Sequence, residues 1–329
     1  MAETILDLTL RDLEGVGPAL EKRLREAGIV SVLQLAAALP DEVVEAIGGA
    51  EENALQLIME AQNKLRSSGL LEREFIPALE ALERRRKLMK CTTGSKNLDE
   101  LLKGGIETQA ITELYGEYGS GKTQLCHTLC ITCQLPPEKG GLWGGALYID
   151  TESTFRPERL YQIAEARGLD PQESLKKVIY TRIYNSSHLE VLVKNLDEHI
   201  EKYNIRLIVV DSVISLHRAE YTGRGTLAER QQRLNNLLHR LLRVAEIYNI
   251  AVVVTNQVQT QPDTFFGDPT KPAGGNVVAH TSTYRIYLKK AGHDRRATII
   301  DSPYHPYGEA AFTISEKGVV DPEPKRREG

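Results

Sequence analysis

Gly116-Glu117-Tyr118-Gly119-Ser120-Gly121-Lys122-Thr123 reads G-x-x-x-x-G-K-[ST], and it stands between a β-like run, Ala110 to Tyr115, and a helix-like run beginning at Gln124. Strand, glycine-rich turn and helix in that order are the context a phosphate-binding loop requires. The glycines let backbone N–H groups turn inward onto phosphate oxygens, and the helix N-terminus adds partial positive charge. Lys122 can reach the outer phosphates, and Thr123 can ligate Mg²⁺. The whole stretch Gly116, Glu117, Tyr118, Gly119, Ser120, Gly121, Lys122, Thr123 and Gln124 is therefore the candidate cradle for a nucleotide.

Downstream and upstream of this loop, apolar β-like runs alternate with amphipathic helical ones. The strand-like runs are Ala110–Tyr115, Ala146–Ile149, Val178–Thr181, Leu207–Val210 and Ala251–Thr255. Nearly continuous apolar strands separated by helices, such as Leu227 to Ala245, predict a parallel sheet covered on both faces. After Tyr284 the strands become short and leave no room for helices: Arg285–Leu288, Thr298–Ile300 and Ala311–Ile314. An antiparallel extension is expected there.

Open α/β sheets place ligands at the carboxyl ends of their strands. Three such ends carry polar groups here. Asp211 closes one apolar strand and is expected to orient Mg²⁺ beside Thr123. Glu152 follows Tyr148-Ile149-Asp150-Thr151 and is the candidate to polarise an attacking water. Gln257, after Thr255-Asn256, can hydrogen-bond a γ-phosphate or its water and report its loss to the loop downstream. Two long loops leave these ends. One runs from Arg218 through Arg224 and leads to Arg230; the other, Gln259 to His280, contains Phe265 and Gly274-Gly275-Asn276. Long loops with arginines, aromatics and glycines can line a groove that tracks a nucleic-acid backbone.

The amino-terminal part reads differently. Leu13-Glu14-Gly15-Val16-Gly17-Pro18 and Ile47-Gly48-Gly49 each precede an apolar helical pattern and look like two helix–hairpin–helix units. Such hairpins can meet a DNA phosphate through backbone N–H groups or serve as a contact module. Lys22, Arg23 and Arg25 form the local basic group. Ser67-Ser68-Gly69 breaks the pattern, and the segment Phe75-Ile76-Pro77-Ala78 comes next. An aromatic and a small residue three apart on an extended segment, Phe75 and Ala78, can insert into pockets of a neighbouring copy, or the segment can pack onto its own core.

Composition sets the outer limits. A chain of 329 residues can bury one large core with a smaller appendage. Its formal net charge of −4 gives no global basic field, so any nucleic-acid contact must be local. Residues 1–66 hold twelve acidic and six basic side chains, net −6, and the remainder is +2. No apolar run approaches the ~20 residues of a membrane span, and the start lacks a secretory signature, so an intracellular protein with no membrane partner is expected. Cys126, Cys130 and Cys133 have a spacing that can hold an iron–sulfur cluster. They also trace one helix face, and packing as small hydrophobes is the reading adopted.

Taken together these motifs resemble the archaeal RadA recombinases, relatives of the eukaryotic RecA-like strand-exchange proteins, over essentially the full length. Besides the phosphate loop, the carrying segments are Tyr148-Ile149-Asp150-Thr151-Glu152, Thr154-Phe155-Arg156-Pro157-Glu158-Arg159, Glu220-Tyr221-Thr222-Gly223-Arg224-Gly225, Ala228-Glu229-Arg230-Gln231-Gln232, Val254-Thr255-Asn256-Gln257-Val258 and Phe265-Phe266-Gly267-Asp268-Pro269. The resemblance implies an α/β fold: a RecA-type P-loop ATPase core with a mainly parallel central sheet (84–329). It adds a linker with an oligomerisation motif (67–83) and a small all-α helix–hairpin–helix domain (1–66). It further implies ATP and Mg²⁺ as cofactors, and single-stranded and double-stranded DNA, further copies of the chain and recombination mediators as partners, with a cytoplasmic, nucleoid-associated location. The activity implied is ATP-dependent pairing and strand exchange within a filament or ring. The alternative is a paralogue that binds ATP and DNA and regulates another filament. By the same resemblance Glu152 with Lys122 and Gln257 is catalytic, Arg159 stacks on adenine, and Arg224 and Arg230 belong to the first DNA loop. His280, Asp301 and Pro303 correspond to elements that reach a neighbour's ATP. The chain departs from the family pattern at Leu216-His217, Ser153 and Tyr304-His305-Pro306-Tyr307-Gly308.

Overall fold

Within Ile205–Asp211, four successive residues, Leu207, Ile208, Val209 and Val210, are wholly buried, so both faces of this strand are covered. Branched aliphatic side chains fit a pleated, packed surface, and each such burial stabilises by about 1.5–3 kcal/mol. The computed structural model describes residues 8–69, 71, 75–221, 225–260, 270–273 and 276–323. Arg224, Phe265, Gly274 and Gly275, singled out above, lie outside them. The chain divides into two compact units, Met1–Lys87 with Lys194–Asp197, and Leu88–Val193 with Glu198–Gly329.

In the first unit lie α1 (Pro18–Glu26), α2 (Val32–Ala37), α3 (Pro40–Ile47), α4 (Glu51–Ser67) and α5 (Ala78–Arg85). Prolines at the first helical position start α1 and α3, where the missing N–H costs nothing. Leu24, Leu35, Val43, Ala54, Ala61 and Leu65 are fully buried. The basic group on α1 is tied up within the unit. Arg23 donates to the Ile47 carbonyl (2.6 Å), Arg25 pairs with Glu21 (3.0 Å) and Lys22 with Glu26 (3.8 Å). The expected extended segment ends earlier than anticipated: Ala78 is the first residue of α5. Pro77, with φ −60°, sets the entry angle of that helix. Phe75 is 87% exposed, so it does not pack onto the core of its own unit.

The second unit opens with β1 (Lys90–Cys91), α6 (Lys96–Leu101) and β2 (Ile106–Glu107), then β3 (Ala110–Gly116), α7 (Lys122–Thr132) and β4 (Gly145–Asp150). It continues with α8 (Pro157–Ala166), α9 (Pro171–Lys176), β5 (Val178–Arg182), α10 (Ser186–Lys194), α11 (Asp197–Lys202), β6 (Ile205–Asp211), α12 (Ser215–Glu220) and α13 (Leu227–Tyr248). β7 (Ala251–Thr260), β8 (Thr270–Pro272), α14 (Asn276–Thr281), β9 (Tyr284–Ala291), β10 (Asp294–Asp301), β11 (Glu309–Ser315) and β12 (Gly318–Val320) complete it. The large sheet runs β12-β11-β10-β9-β3-β7-β6-β4-β5, with β8 paired to β7.

β3, β4, β5, β6 and β7 pair in parallel, as expected. Two expectations change. β9 is parallel to β3, so the antiparallel part begins only at the β9–β10 pair. The stretch Gln259 to His280 also contains regular structure. β7 runs on to Thr260, folds antiparallel against β8 and is followed by α14, which begins at Asn276. Backbone pairing between β7 and β8 holds this hairpin in register, and Thr270–Pro272 carries no apolar alternation that would signal it.

On the sheet, α7 buries Leu125, Cys126, Leu129 and Cys130, and its C-cap Cys133, in the cluster that contains Tyr148, Val209, Val253 and Phe312. All four cysteines are buried and unpaired, and burial pushes the Cys91 thiol up to about 12. Burial raises those of Cys126, Cys130 and Cys133 as well. Among the described residues no group of three or more His, Cys, Asp or Glu could hold a metal ion. None of the described helices is long and apolar enough to cross a membrane.

Candidate active site

The parallel register sets strand ends side by side. Gly116 of β3 lies opposite Gln257 of β7, and Asp150 of β4 opposite Asp211 of β6. The turn after β3 therefore opens over three polar strand ends. Gly116 is required there by close approach, because a Cβ would stand 2.0 Å from the Leu288 carbonyl oxygen. A cavity of about 740 Å³ lies between the loop and these ends. Its walls include Gly116–Gly119, Gly121–Gln124, Glu152, Asp211, Gln257, Arg295 and Ile314.

Lys122 is the first residue of α7 and turns its ammonium back on the loop, donating to the carbonyls of Gly116 (2.7 Å) and Glu117 (3.0 Å). Burial lowers its pKa, and the charges of Asp211 and Glu152 oppose that shift. Asp211 is 2% exposed. Its Oδ2 accepts from Thr123 (2.8 Å), Tyr148 (2.6 Å) and Thr154 (3.3 Å), and its Oδ1 accepts from Thr255. Four hydroxyls thus stand in for the water that a buried carboxylate has lost. A threonine hydroxyl and a carboxylate are hard oxygen donors of the kind Mg²⁺ takes alongside phosphate oxygens.

Glu152 is held from two sides: Gln257 Nε2 (2.7 Å) and Ser212 Oγ (3.0 Å) both donate to its Oε1. Its position comes from Asp150, a residue whose role the sequence did not suggest. The Asp150 carboxylate accepts the N–H groups of Glu152 (2.9 Å), Thr154 (3.2 Å) and Phe155 (3.2 Å) and pairs with Arg182 (3.0 Å). Between these turns Ser153 has φ +61°, the left-handed region that glycine and asparagine enter more readily.

Arg159 does not line the cavity but touches it through Gln124, whose side-chain oxygen it binds at 2.8 Å. The rest of its guanidinium is engaged by Gln162 and by the Ser315 and Glu316 carbonyls. His280, Asp301 and Pro303 are exposed and lie outside the cavity of their own chain. Arg218 in α12 and Arg230 in the first turn of α13 flank residues 222–224 and are both half-buried. Leu216 and His217 are buried, and burial lowers the His217 pKa. The base of this first loop is pinned by contacts that no motif in the chain signals. Glu220 accepts from the Ser186 backbone (2.7 Å) and hydroxyl, and Arg233 lies over the Tyr221 ring (5.5 Å). At the second loop, Gln257 O accepts the Ala273 N–H (2.7 Å), while the Asn256 amide donates to Ala273 O (2.7 Å) and Glu113 (2.8 Å).

A mainly parallel sheet, a phosphate loop after one strand and paired acids at the neighbouring strand ends define a RecA-type P-loop core. A family model described as Rad51 matches residues 84–322, and one described as a SAM-like helix–hairpin–helix tandem matches residues 7–63. A DNA repair and recombination protein RadA of Cenarchaeum symbiosum (strain A) is 50% identical over 320 residues, which covers 97% of this chain and 80% of that protein. The chain belongs to the family of Rad51 and RadA proteins.

Proposed function

We propose that the chain is an ATP-dependent DNA recombinase that assembles on single-stranded DNA as a helical filament and catalyses homologous pairing and strand exchange. The observation that carries this reading is the 2.7 Å hydrogen bond between Gln257 and Glu152. It joins Glu152, the acid assigned to hydrolysis in this reading, to the strand from which the second loop departs. Lys122 and the N–H groups of the loop would hold the triphosphate of ATP, and Thr123 with Asp211 would hold Mg²⁺. A bound Mg²⁺ neutralises charge on the outer phosphates. Glu152 then orients a water toward the γ-phosphate, and Ser212 and Gln257 fix the carboxylate for that task. When the outer phosphate changes, Gln257 can exchange its partner, and its backbone tie to Ala273 carries the change to the loop beyond.

Exposed Phe75 and Ala78 at the head of α5 serve in this reading as the plug that joins copies. His280, Asp301 and Pro303, which sit outside their own cavity, reach the nucleotide of the adjoining copy. Arg218, Arg224, Arg230, Phe265 and Gly274-Gly275-Asn276 contact DNA. Residues 1–66 form the helix–hairpin–helix domain, 67–83 the linker and 84–329 the ATPase core.

Strand exchange between homologous DNAs tests the whole reading, run with ATP, with a non-hydrolysable analogue and without nucleotide. Exchange is expected with ATP and filament formation with either nucleotide. A chain that binds single-stranded DNA equally well in all three conditions and forms no filaments would end this assignment.

A further inference from the structure

Arg295 lies near the start of β10, on the side of β3 away from Glu152, Asp211 and Gln257. Across the ladder it faces Lys290 of β9 and Phe312 of β11. Directly opposed residues on antiparallel strands point to the same face of the sheet. Both partners touch the phosphate loop. The Cε of Lys290 is 2.8 Å from where a Cβ at Gly119 would stand, and the Phe312 ring is 3.4 Å from where one at Gly121 would stand. Arg295 projects between these two contacts and lines the cavity.

The hydrogen bonding of its guanidinium within the chain is incomplete. Nη1 donates to the His293 carbonyl at 2.5 Å, whereas Nε is buried and has no acceptor among the described residues. A guanidinium is a fork of donors matched to phosphate oxygens, and Arg295 lines the same cavity as Gly119 and Gly121, where an anion on the loop would lie. We propose that Arg295 grips the inner phosphates of the bound nucleotide, the end shared by nucleoside di- and triphosphates, with Lys290 as a supporting cation. The outer phosphate belongs to the opposite wall, where Glu152 and Gln257 stand. The proposal rests on the reading of the loop as a nucleotide site.

The test is calorimetric titration of the full-length chain with MgADP and MgATP, comparing wild type, Lys122→Ala, Arg295→Gln and Arg295→Lys. Arg295→Gln is expected to weaken ADP and ATP alike by about tenfold, which corresponds to about 1.4 kcal/mol. Arg295→Lys should recover part of the loss, and it reads the same effect if the glutamine variant does not fold. The KM for ATP should rise with kcat unchanged, as for an interaction made equally in ground and transition states. Affinities within twofold of wild type, or a loss confined to ATP, would overturn the role of Arg295. If Lys122→Ala bound both nucleotides as tightly as wild type, or wild type bound neither, the loop assignment itself would fall and the arginine's role with it.

Discussion

Removing a single oxygen from the core, by Tyr148→Phe, tests whether Asp211 is held as described. Tyr148 is fully buried, and its phenol donates to Asp211 Oδ2 at 2.6 Å. Burial, reinforced by the Asp211 charge, raises the phenol's pKa well above its ordinary value, so it remains a donor throughout the working pH range. The variant loses that donor and little else, since the ring keeps its neighbours His127 (5.4 Å) and Phe155 (4.9 Å between centroids). A hydrogen bond to a charged acceptor contributes about 1.5–3 kcal/mol net. Thr123 and Thr154 still donate to the same oxygen, so the lower part of that range is expected, roughly 1.5–2 kcal/mol. For a unit of this size the loss lowers Tm by about 3–8 °C. Thermal unfolding of the full-length chain by circular dichroism, at constant pH and salt, measures it. A variant that melts with wild type or above it would show that the phenol does not stabilise the carboxylate, and the four-hydroxyl account of Asp211 would be wrong.

Lys122→Ala should abolish ATP turnover while leaving the fold intact; normal turnover in a colorimetric phosphate assay would remove the loop assignment. Phe75 is almost fully exposed, so Phe75→Ala should leave Tm unchanged and reduce assembly size in light scattering, and unchanged size would defeat the plug reading. His127 titrates at about 4 because burial disfavours its charged form, with Asp211 opposing, whereas the unfolded chain takes up that proton near 6.5. Stability from this group is therefore complete above pH 6.5 and is lost as pH falls from 6.5 toward 4, about 3 kcal/mol in all. His127→Gln should flatten that slope in denaturant titrations across the same window; an unchanged slope would contradict it.

The features legible in the sequence were those that depend on local order. The loop from Gly116 to Thr123, the apolar strand ending at Asp211 and the acid at Glu152 each announce themselves within a few residues. The parallel sheet then brings them together without further information. Asp150 was missed because its work is done by backbone N–H groups that any residues at Glu152, Thr154 and Phe155 would supply. Arg295 was missed because only the pairing of β10 with β9 and β11 brings it beside the loop, and an arginine near a turn otherwise reads as a solvated charge. β8 escaped because Thr270–Pro272 has no apolar alternation, its pairing resting on the continuation of β7.

The ties from Glu152 to Ala273 also bound how strongly a nucleotide can act on DNA within one chain. Asn256 is locked: its amide is buried between Ala273 and Glu113, and Glu113 in turn pairs with Arg285 at 2.7 Å. The exposed Gln257 side chain is the member of this group free to exchange partners. One or two hydrogen bonds of about 1 kcal/mol each transmit about 1–2 kcal/mol of coupling, a roughly 5- to 30-fold effect on affinity. Any larger dependence of DNA binding on ATP cannot pass through Gln257 alone. In the proposed recombinase reading it comes from assembly, where each added copy would bring its own contacts with the strand.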